Sequence, residues 1–408
     1  MGFKRERQIV SYAFAMAIKH KFLKGILIVL ALALIPVSAI SAQKITPGAS
    51  CKSVNQKSVY MNKTYTCIKS GKKLVWNKGV KVAVKVIPTP TPTATPTPTA
   101  LYPVGPTSFD DLVENYKGIA YAAWSKSSSV IKSSNAVSPA IKMITGPNTK
   151  LRIENPSTIF NLIARLYPGY GASNDFTVLS FGYDDRDWAQ TQLNTLPPRD
   201  PSAVGGWIAT TGCVTRQTCN GGNMFTGDKG PQLLVLTTEV LGGDQVPGML
   251  EAHEYTHGVQ QNQMRFPQPW PPNDTYPPVW LHEGGAHFSQ NAAINYQSFD
   301  EYMSFRRESS SNIFNDSKIT SQWIQEYLGA NPDLAWVRKY DRWTMFVMGA
   351  MFVEALVAIK GPESTMEIWK LAGNGLKFPQ AFEKVYGISF EKALPIISKA
   401  IALELGRS

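Results

Sequence analysis

The spacing of apolar residues divides the chain into a strand-rich part followed by a helix-rich part. Residues 109–130 have helical spacing after Ser108, with acidic residues in the first turn, which predicts a helix. Beyond Val246 the helical pattern continues almost to the end of the chain. Three short apolar runs predict strands, at residues 175–181, 205–211 and 232–238. Strands first and helices second is the order of an α+β domain.

A separate small module is predicted at about residues 48–80, where apolar and polar residues alternate around a turn at Ser70-Gly71. This pattern predicts a β-hairpin or small meander. So few residues cannot bury a stable core alone, so we expect a Cys51–Cys67 disulfide to hold it together. The module resembles small cysteine-paired modules found beside signal peptides in secreted actinobacterial proteins.

Alternating proline and threonine at residues 87–100 mark a linker. Such a segment favours extended polyproline II, a semi-rigid spacer of about 3.1 Å per residue. The predicted organisation is therefore a signal segment at 1–42, a small β module at 43–86, a linker at 87–106 and a large domain at 107–408.

The first 42 residues have the pattern of a secretory signal peptide. Lysines 19, 21 and 24 precede an uncharged apolar run, residues 25–42, which ends on small residues at Ala42. Met16 is an alternative start. An uncleaved membrane anchor is the alternative interpretation, because 18 apolar residues are just enough to span a bilayer. Either interpretation places the large domain outside the cytoplasm, secreted or associated with the cell surface.

The four cysteines fall into two local pairs, Cys51 with Cys67 and Cys213 with Cys219. An even number in an exported chain predicts two short-loop disulfides. A structural zinc site is the alternative, but these stretches contain no CxxC motif and no histidine.

The net charge of +11 is unevenly distributed. Residues 43–100 contain ten lysines and no acidic residue, whereas residues 101–408 carry 25 basic and 29 acidic residues. The large domain therefore gives no reason to expect nucleic-acid binding. The lysine-rich residues 43–86 suit an anionic cell-surface polymer or lipid headgroups, or are simply solvated.

The clearest chemical signal is His253-Glu254-Tyr255-Thr256-His257, an H-E-x-x-H sequence. Histidines four residues apart lie on one face of a helix, so both rings can reach one tetrahedral zinc ion. Glu254 between them is placed to take a proton from a water that zinc has acidified. The alternative is that His253 and His257 are helix-capping or core residues and that Glu254 merely lies nearby.

A second motif follows at residues 279–287, VWLHEGGAH. Together the two motifs resemble those of the gluzincins, metallopeptidases that pair H-E-x-x-H with a downstream glutamate in W-L-x-E-G-x-A. The resemblance covers about residues 175–400. It implies a thermolysin-like or aminopeptidase-like catalytic domain, one zinc ion per chain, and Glu283 as the third ligand.

The chain also departs from the gluzincin pattern. Gly242-Gly243 lacks the acidic partner of the aminopeptidase motif, so an aminopeptidase is not supported. His282 and His287 flank Glu283 outside the usual pattern. His287, one turn beyond Glu283, is a candidate to hydrogen-bond a metal ligand and the main rival of Glu283 as third ligand.

Hydrolysis of a peptide also needs a group that stabilises the oxyanion. Tyr340, at the start of an apolar helical stretch, is the candidate, with Tyr327 and His287 as competitors. The alternative is that Tyr340 is an ordinary half-buried aromatic residue with no role in the reaction.

The resulting hypothesis is a secreted zinc endopeptidase that acts on peptides or proteins, with Glu254 as general base. Two alternatives stay open. One is a hydrolase of cell-wall peptide, which the lysine-rich module and spacer favour. The other is a non-catalytic surface binding protein that retains the fold.

Overall fold

The structure is a computed structural model, and it describes residues 45–60, 63–81, 102–153, 155–199, 205–227, 230–238, 246–264, 276–329 and 342–407. These residues form two compact units, 45–81 and 102–407. The predicted signal segment, the Pro/Thr stretch 87–100, Gly242-Gly243 and Tyr340 lie outside the described residues.

The small unit is an antiparallel sheet of four short strands: β1 (Lys57–Tyr60), β2 (Lys63–Ser70), β3 (Lys73–Trp76) and β4 (Val80–Lys81). Strand β2 pairs with each of the other three. Cys67 on β2 is fully buried and bonded to Cys51, with 5.9 Å between their Cα atoms. The predicted β module and its disulfide are confirmed.

The sheet of the large unit contains four strands: β5 (Ile141–Thr145), β6 (Phe176–Phe181), β7 (Asn220–Thr226) and β8 (Gln232–Thr238). Their order is β5-β6-β8-β7, with the first three parallel and β7 antiparallel at the edge. Every residue of β6 is buried, as expected for a strand covered on both faces. The strands predicted at 175–181 and 232–238 are confirmed.

Helices provide most of the large unit: α1 (Ile119–Ser133), α2 (Ser157–Leu166), α3 (Arg186–Leu193), α4 (Met249–Met264), α5 (Val279–Ile294), α6 (Phe299–Ser309), α7 (Ser311–Asn315), α8 (Ser321–Gly329), α9 (Arg342–Lys360), α10 (Glu363–Gly373), α11 (Phe378–Tyr386) and α12 (Phe390–Glu404). Short 3₁₀ turns occur at Tyr116–Gly118, Tyr183–Asp185 and Arg216–Thr218. The mixed α+β class is confirmed; helices α1 to α3 alternate with the strands of this sheet along the chain, and α4 to α12 follow it.

Two local predictions are wrong. Residues 205–211 form no strand; Ile208–Gly212 is a π-helical turn, because Gly205 and Gly206 have φ of +87° and +115°, which breaks an extended run. The confirmed Cys213–Cys219 disulfide closes a tight loop directly after it. The helix predicted from residue 109 begins only at Ile119, because Asp111 accepts bonds from the backbone N–H groups of residues 107 and 108 and holds a turn there.

Helices α5 and α9 pack against each other and are buried along most of their length. The apolar stretch Trp343–Lys360 of α9 is long enough to span a membrane, but 78% of it is buried inside the protein, as in the core helix of a folded domain. Helix α9 packs closely on α5 because both carry glycine at the crossing. A Cβ atom on Gly284 would lie 2.2 Å from the carbonyl carbon of Gly349.

Candidate metal centre

Three buried donor atoms converge at the crossing of α4 and α5. The Nε2 atoms of His253 and His257 lie 3.1 Å apart. Oε2 of Glu283 lies 3.4 Å from the first nitrogen and 3.2 Å from the second. Four ligands at tetrahedral zinc, with bonds of about 2.0–2.1 Å, are separated from each other by about 3.3 Å. The three atoms therefore already have the spacing of three corners of such a site.

The secondary structure explains this convergence. His253 and His257 stand one turn apart on α4, which packs against β7 on one side and α5 on another. Glu283 comes from the first half of α5. Gly285, rather than the adjacent Gly284, lets this helix approach α4 closely. A Cβ on Gly285 would lie 2.9 Å from the amide nitrogen of Gln260 on α4, whereas Gly284 faces α9.

Two buried glutamines hold the imidazole rings. Oε1 of Gln290 lies 2.8 Å from Nδ1 of His253, and Oε1 of Gln260 lies 2.9 Å from Nδ1 of His257. A carboxamide oxygen only accepts, so each Nδ1 carries a proton and each Nε2 faces the centre. The Gln260 amide also donates to the carbonyl oxygen of His282 on α5.

Sequence reasoning missed both glutamines. Helical spacing was the available signal, since Gln260 follows His257 by three residues and Gln290 follows Glu283 by seven, or about two turns.

The charges at the centre favour a cation. Burial raises the pKa of Glu283, but the neighbouring imidazoles His257 and His253 outweigh it and hold that pKa well below its usual range. Burial lowers the pKa of His257, yet the Glu283 carboxylate raises it to about 9. At neutral pH the Glu283 carboxylate is therefore ionised and His257 carries a proton, which a metal ion must displace on binding.

Glu254 is buried but is not among the converging donors. Burial raises its pKa, as does Glu283, against the opposing effect of the two histidines. Strand β7 passes directly over its side chain. A Cβ atom on Gly222 of β7 would lie 2.5 Å from Cγ of Glu254, so only glycine leaves space for this carboxylate.

The remaining histidines have different surroundings. The His282 ring stacks on the His257 ring with 4.0 Å between centroids, and burial keeps its pKa well below the usual range. Its Nδ1 lies 3.8 Å from Oε1 of Glu283, which is not an ion pair because the imidazole is neutral. His287 packs between Phe305 and Trp343, and burial lowers its pKa to about 3.

Within the described residues, the histidine, cysteine and acidic side chains that could hold a metal ion comprise His253, His257 and Glu283, without His282 or His287. Nδ1 of His253 donates its hydrogen bond to the carboxamide oxygen of Gln290, so Gln290 and not His287 holds this ring. The assignment of Glu283 as third ligand stays a prediction.

The oxyanion group is not identified by the described residues. Tyr340 lies outside them, and Tyr327 on α8 stacks on Trp323 at 4.8 Å. A tyrosine that sequence reasoning missed, Tyr276, is fully buried with its ring 6.2 Å from that of His282. Burial and then Glu283 raise its pKa, so its hydroxyl stays protonated near the centre.

No protein-family model, no curated protein and no solved structure matches the chain. The resemblance to gluzincins is therefore confined to the two sequence motifs, at residues 253–257 and 279–287. The evidence that His253, His257 and Glu283 could bind a metal ion is the geometry of these three buried side chains.

Proposed function

We propose that this protein is a zinc-dependent endopeptidase that works outside the cytoplasm. The observation that carries the proposal is a separate buried carboxylate, Glu254, beside three donor atoms at tetrahedral spacing. A purely structural zinc site takes four protein ligands and needs no base, whereas a catalytic site takes three and leaves one position open.

The donor set fits zinc better than other common metals. Two imidazoles and one carboxylate form a compact, buried, three-point site, whereas calcium and magnesium prefer six or more oxygen ligands. His253, His257 and Glu283 would hold the ion, with Gln290 and Gln260 orienting the rings. When bound, zinc supplies a Lewis acid that polarises a carbonyl group and acidifies water.

Glu254 has the properties of a general base. Its raised pKa brings it closer to the operating pH, where a base both stays available and accepts protons readily. It would take the proton from the attacking water and pass it to the nitrogen of the leaving amine. Gly222 has no side chain, which leaves room for this carboxylate between α4 and β7.

The sheet edge suits an extended substrate. Among the described strands, β7 pairs only with β8, so its other side offers backbone groups to a further strand. A peptide added there would run past Glu254 and the metal centre. Binding in the middle of a chain, rather than at a terminus, is what an endopeptidase requires.

An extracytoplasmic location is supported by the two disulfides and by the apolar segment 25–42. For substrates, we favour peptides or proteins in general. A hydrolase of cell-wall peptide would share this centre and differ in accepting cross-linked peptides. A non-catalytic binding protein would bind metal but show no turnover.

The test is a Glu254→Gln variant, compared with the wild type on a mixed library of linear and cross-linked peptides. We expect zinc to stay bound while turnover falls at least about 100-fold, as for the loss of an acid–base group. Near-wild-type turnover would remove Glu254 from the mechanism, and a wild-type protein without any turnover would favour the binding protein. A preference for cross-linked peptides would favour the cell-wall hydrolase.

A further inference from the structure

The two faces of the small module's sheet differ in an unusual way. One face carries the side chains that form its interior, including Tyr65 and Cys67 on β2. The other face, defined here as the open face, carries Val59, Val80 and Ile68, which are 66%, 68% and 43% exposed. When one face of an antiparallel sheet is exposed to solvent, that face normally carries polar residues.

The strand register makes these residues a continuous surface. Thr64 on β2 pairs with Val59 on β1 and with Val80 on β4, so the three side chains form one row across the sheet. Ile68 lies four residues further along β2, on the same face, and pairs with Val75. The open face is therefore a strip of apolar side chains and threonine.

Lysines border this strip. Lys57 lies on the open face beside Val59, and Lys73 lies beside Val75; both are exposed. No acidic residue occurs anywhere in residues 43–100. The surface thus combines exposed branched aliphatic side chains with uncompensated positive charge.

We propose that the open face docks onto an anionic lipid surface. A bilayer interface takes both components at once, since apolar side chains enter its boundary while lysines meet the headgroups. A soluble polyanion needs only the lysines and leaves the exposed valines unexplained. A second copy of the chain is disfavoured because it would bring two lysine-rich, acid-free modules together. The inference is independent of the metal centre.

Partition into vesicles tests the proposal with the exported chain, residues 43–408, so that the apolar run 25–42 cannot anchor it. We expect binding to vesicles of phosphatidylcholine with phosphatidylglycerol, and much weaker binding to phosphatidylcholine alone. Lys57→Gln should lower the partition coefficient about fivefold. The matched control is Lys69→Gln, which removes the same charge from the opposite face of β2 and should change it less than about twofold.

The contribution of the apolar side chains to binding is tested by the double variant Val59→Thr and Val80→Thr. Threonine keeps the β-branched shape of valine. We expect about a tenfold weaker partition, with the disulfide and circular dichroism unchanged. Three results would overturn the proposal. Equal decreases in the partition coefficient for Lys57→Gln and Lys69→Gln would indicate that net charge alone, and not the open face, drives binding to the vesicles. An unchanged double valine variant that also binds linear polyphosphate would favour a soluble polymer. A dimer dispersed by the valine changes would identify a second copy as the occupant.

Discussion

Strand β7 and Glu254, the proposed general base, are in such close contact that one added methyl group tests whether this contact positions the carboxylate. Gly222 does not have a positive φ, so alanine can adopt its backbone conformation without strain. The new Cβ would lie 2.5 Å from Cγ and 2.8 Å from Cδ of Glu254. Non-bonded carbons are comfortable at about 3.5–4.0 Å, so the carboxylate must withdraw by about 1 Å.

A displacement of about 1 Å at a reacting group can lower the rate about 100-fold, which corresponds to about 2.7 kcal/mol of activation free energy. We therefore expect Gly222→Ala to lose about 100-fold in kcat/KM on a peptide cleaved by the wild type. Zinc content should stay unchanged, because none of the three converging donors lies on β7.

The matched control is Gly171→Ala, at an exposed glycine whose added Cβ would have no neighbour within 4 Å. Its kcat/KM should stay within about twofold of the wild type, since surface changes of this kind usually have small effects. Wild-type kcat/KM in Gly222→Ala, with zinc bound and the fold intact, would refute the role of this contact.

Three further predictions concern the metal. Glu283→Ala should lose zinc on dialysis while His287→Ala retains it; the reverse result would make His287 the third ligand. Gln290→Leu should weaken zinc binding about 10–100-fold in a chelator competition, and Gln290→Glu should restore it, because only the acceptor for Nδ1 of His253 matters; equal affinities would contradict this role. Because the Glu283 carboxylate raises the pKa of His257 to about 9, zinc binding at pH 7.5 should release about one proton, and affinity should fall as the pH drops below 9. Calorimetry in buffers of different ionisation enthalpy measures this release, and a value of zero would show that His257 is already neutral.

Sequence by itself determined the features that depend on neighbouring residues. Helical periodicity places His253 and His257 on one face whatever surrounds the helix, and alternation with two close cysteines defines the small β module. The strands at 175–181 and 232–238 were predictable because a short apolar run has few other stable conformations in a domain of this class. At 205–211 the same reasoning failed, because Gly205 and Gly206 interrupt an extended backbone.

Tertiary structure alone decided which distant residues meet at the centre. Gln290 hydrogen-bonds His253, although the two residues are 37 positions apart in the sequence. Gly222 contacts Glu254 from an edge strand that the sequence pattern did not predict. Gly284 and Gly285 are adjacent in the sequence, yet Gly284 meets Gly349 of α9 and Gly285 meets Gln260 of α4. Such contacts depend on the angle and depth at which α5 and β7 pack on α4, and these are set by the shapes of many core side chains together.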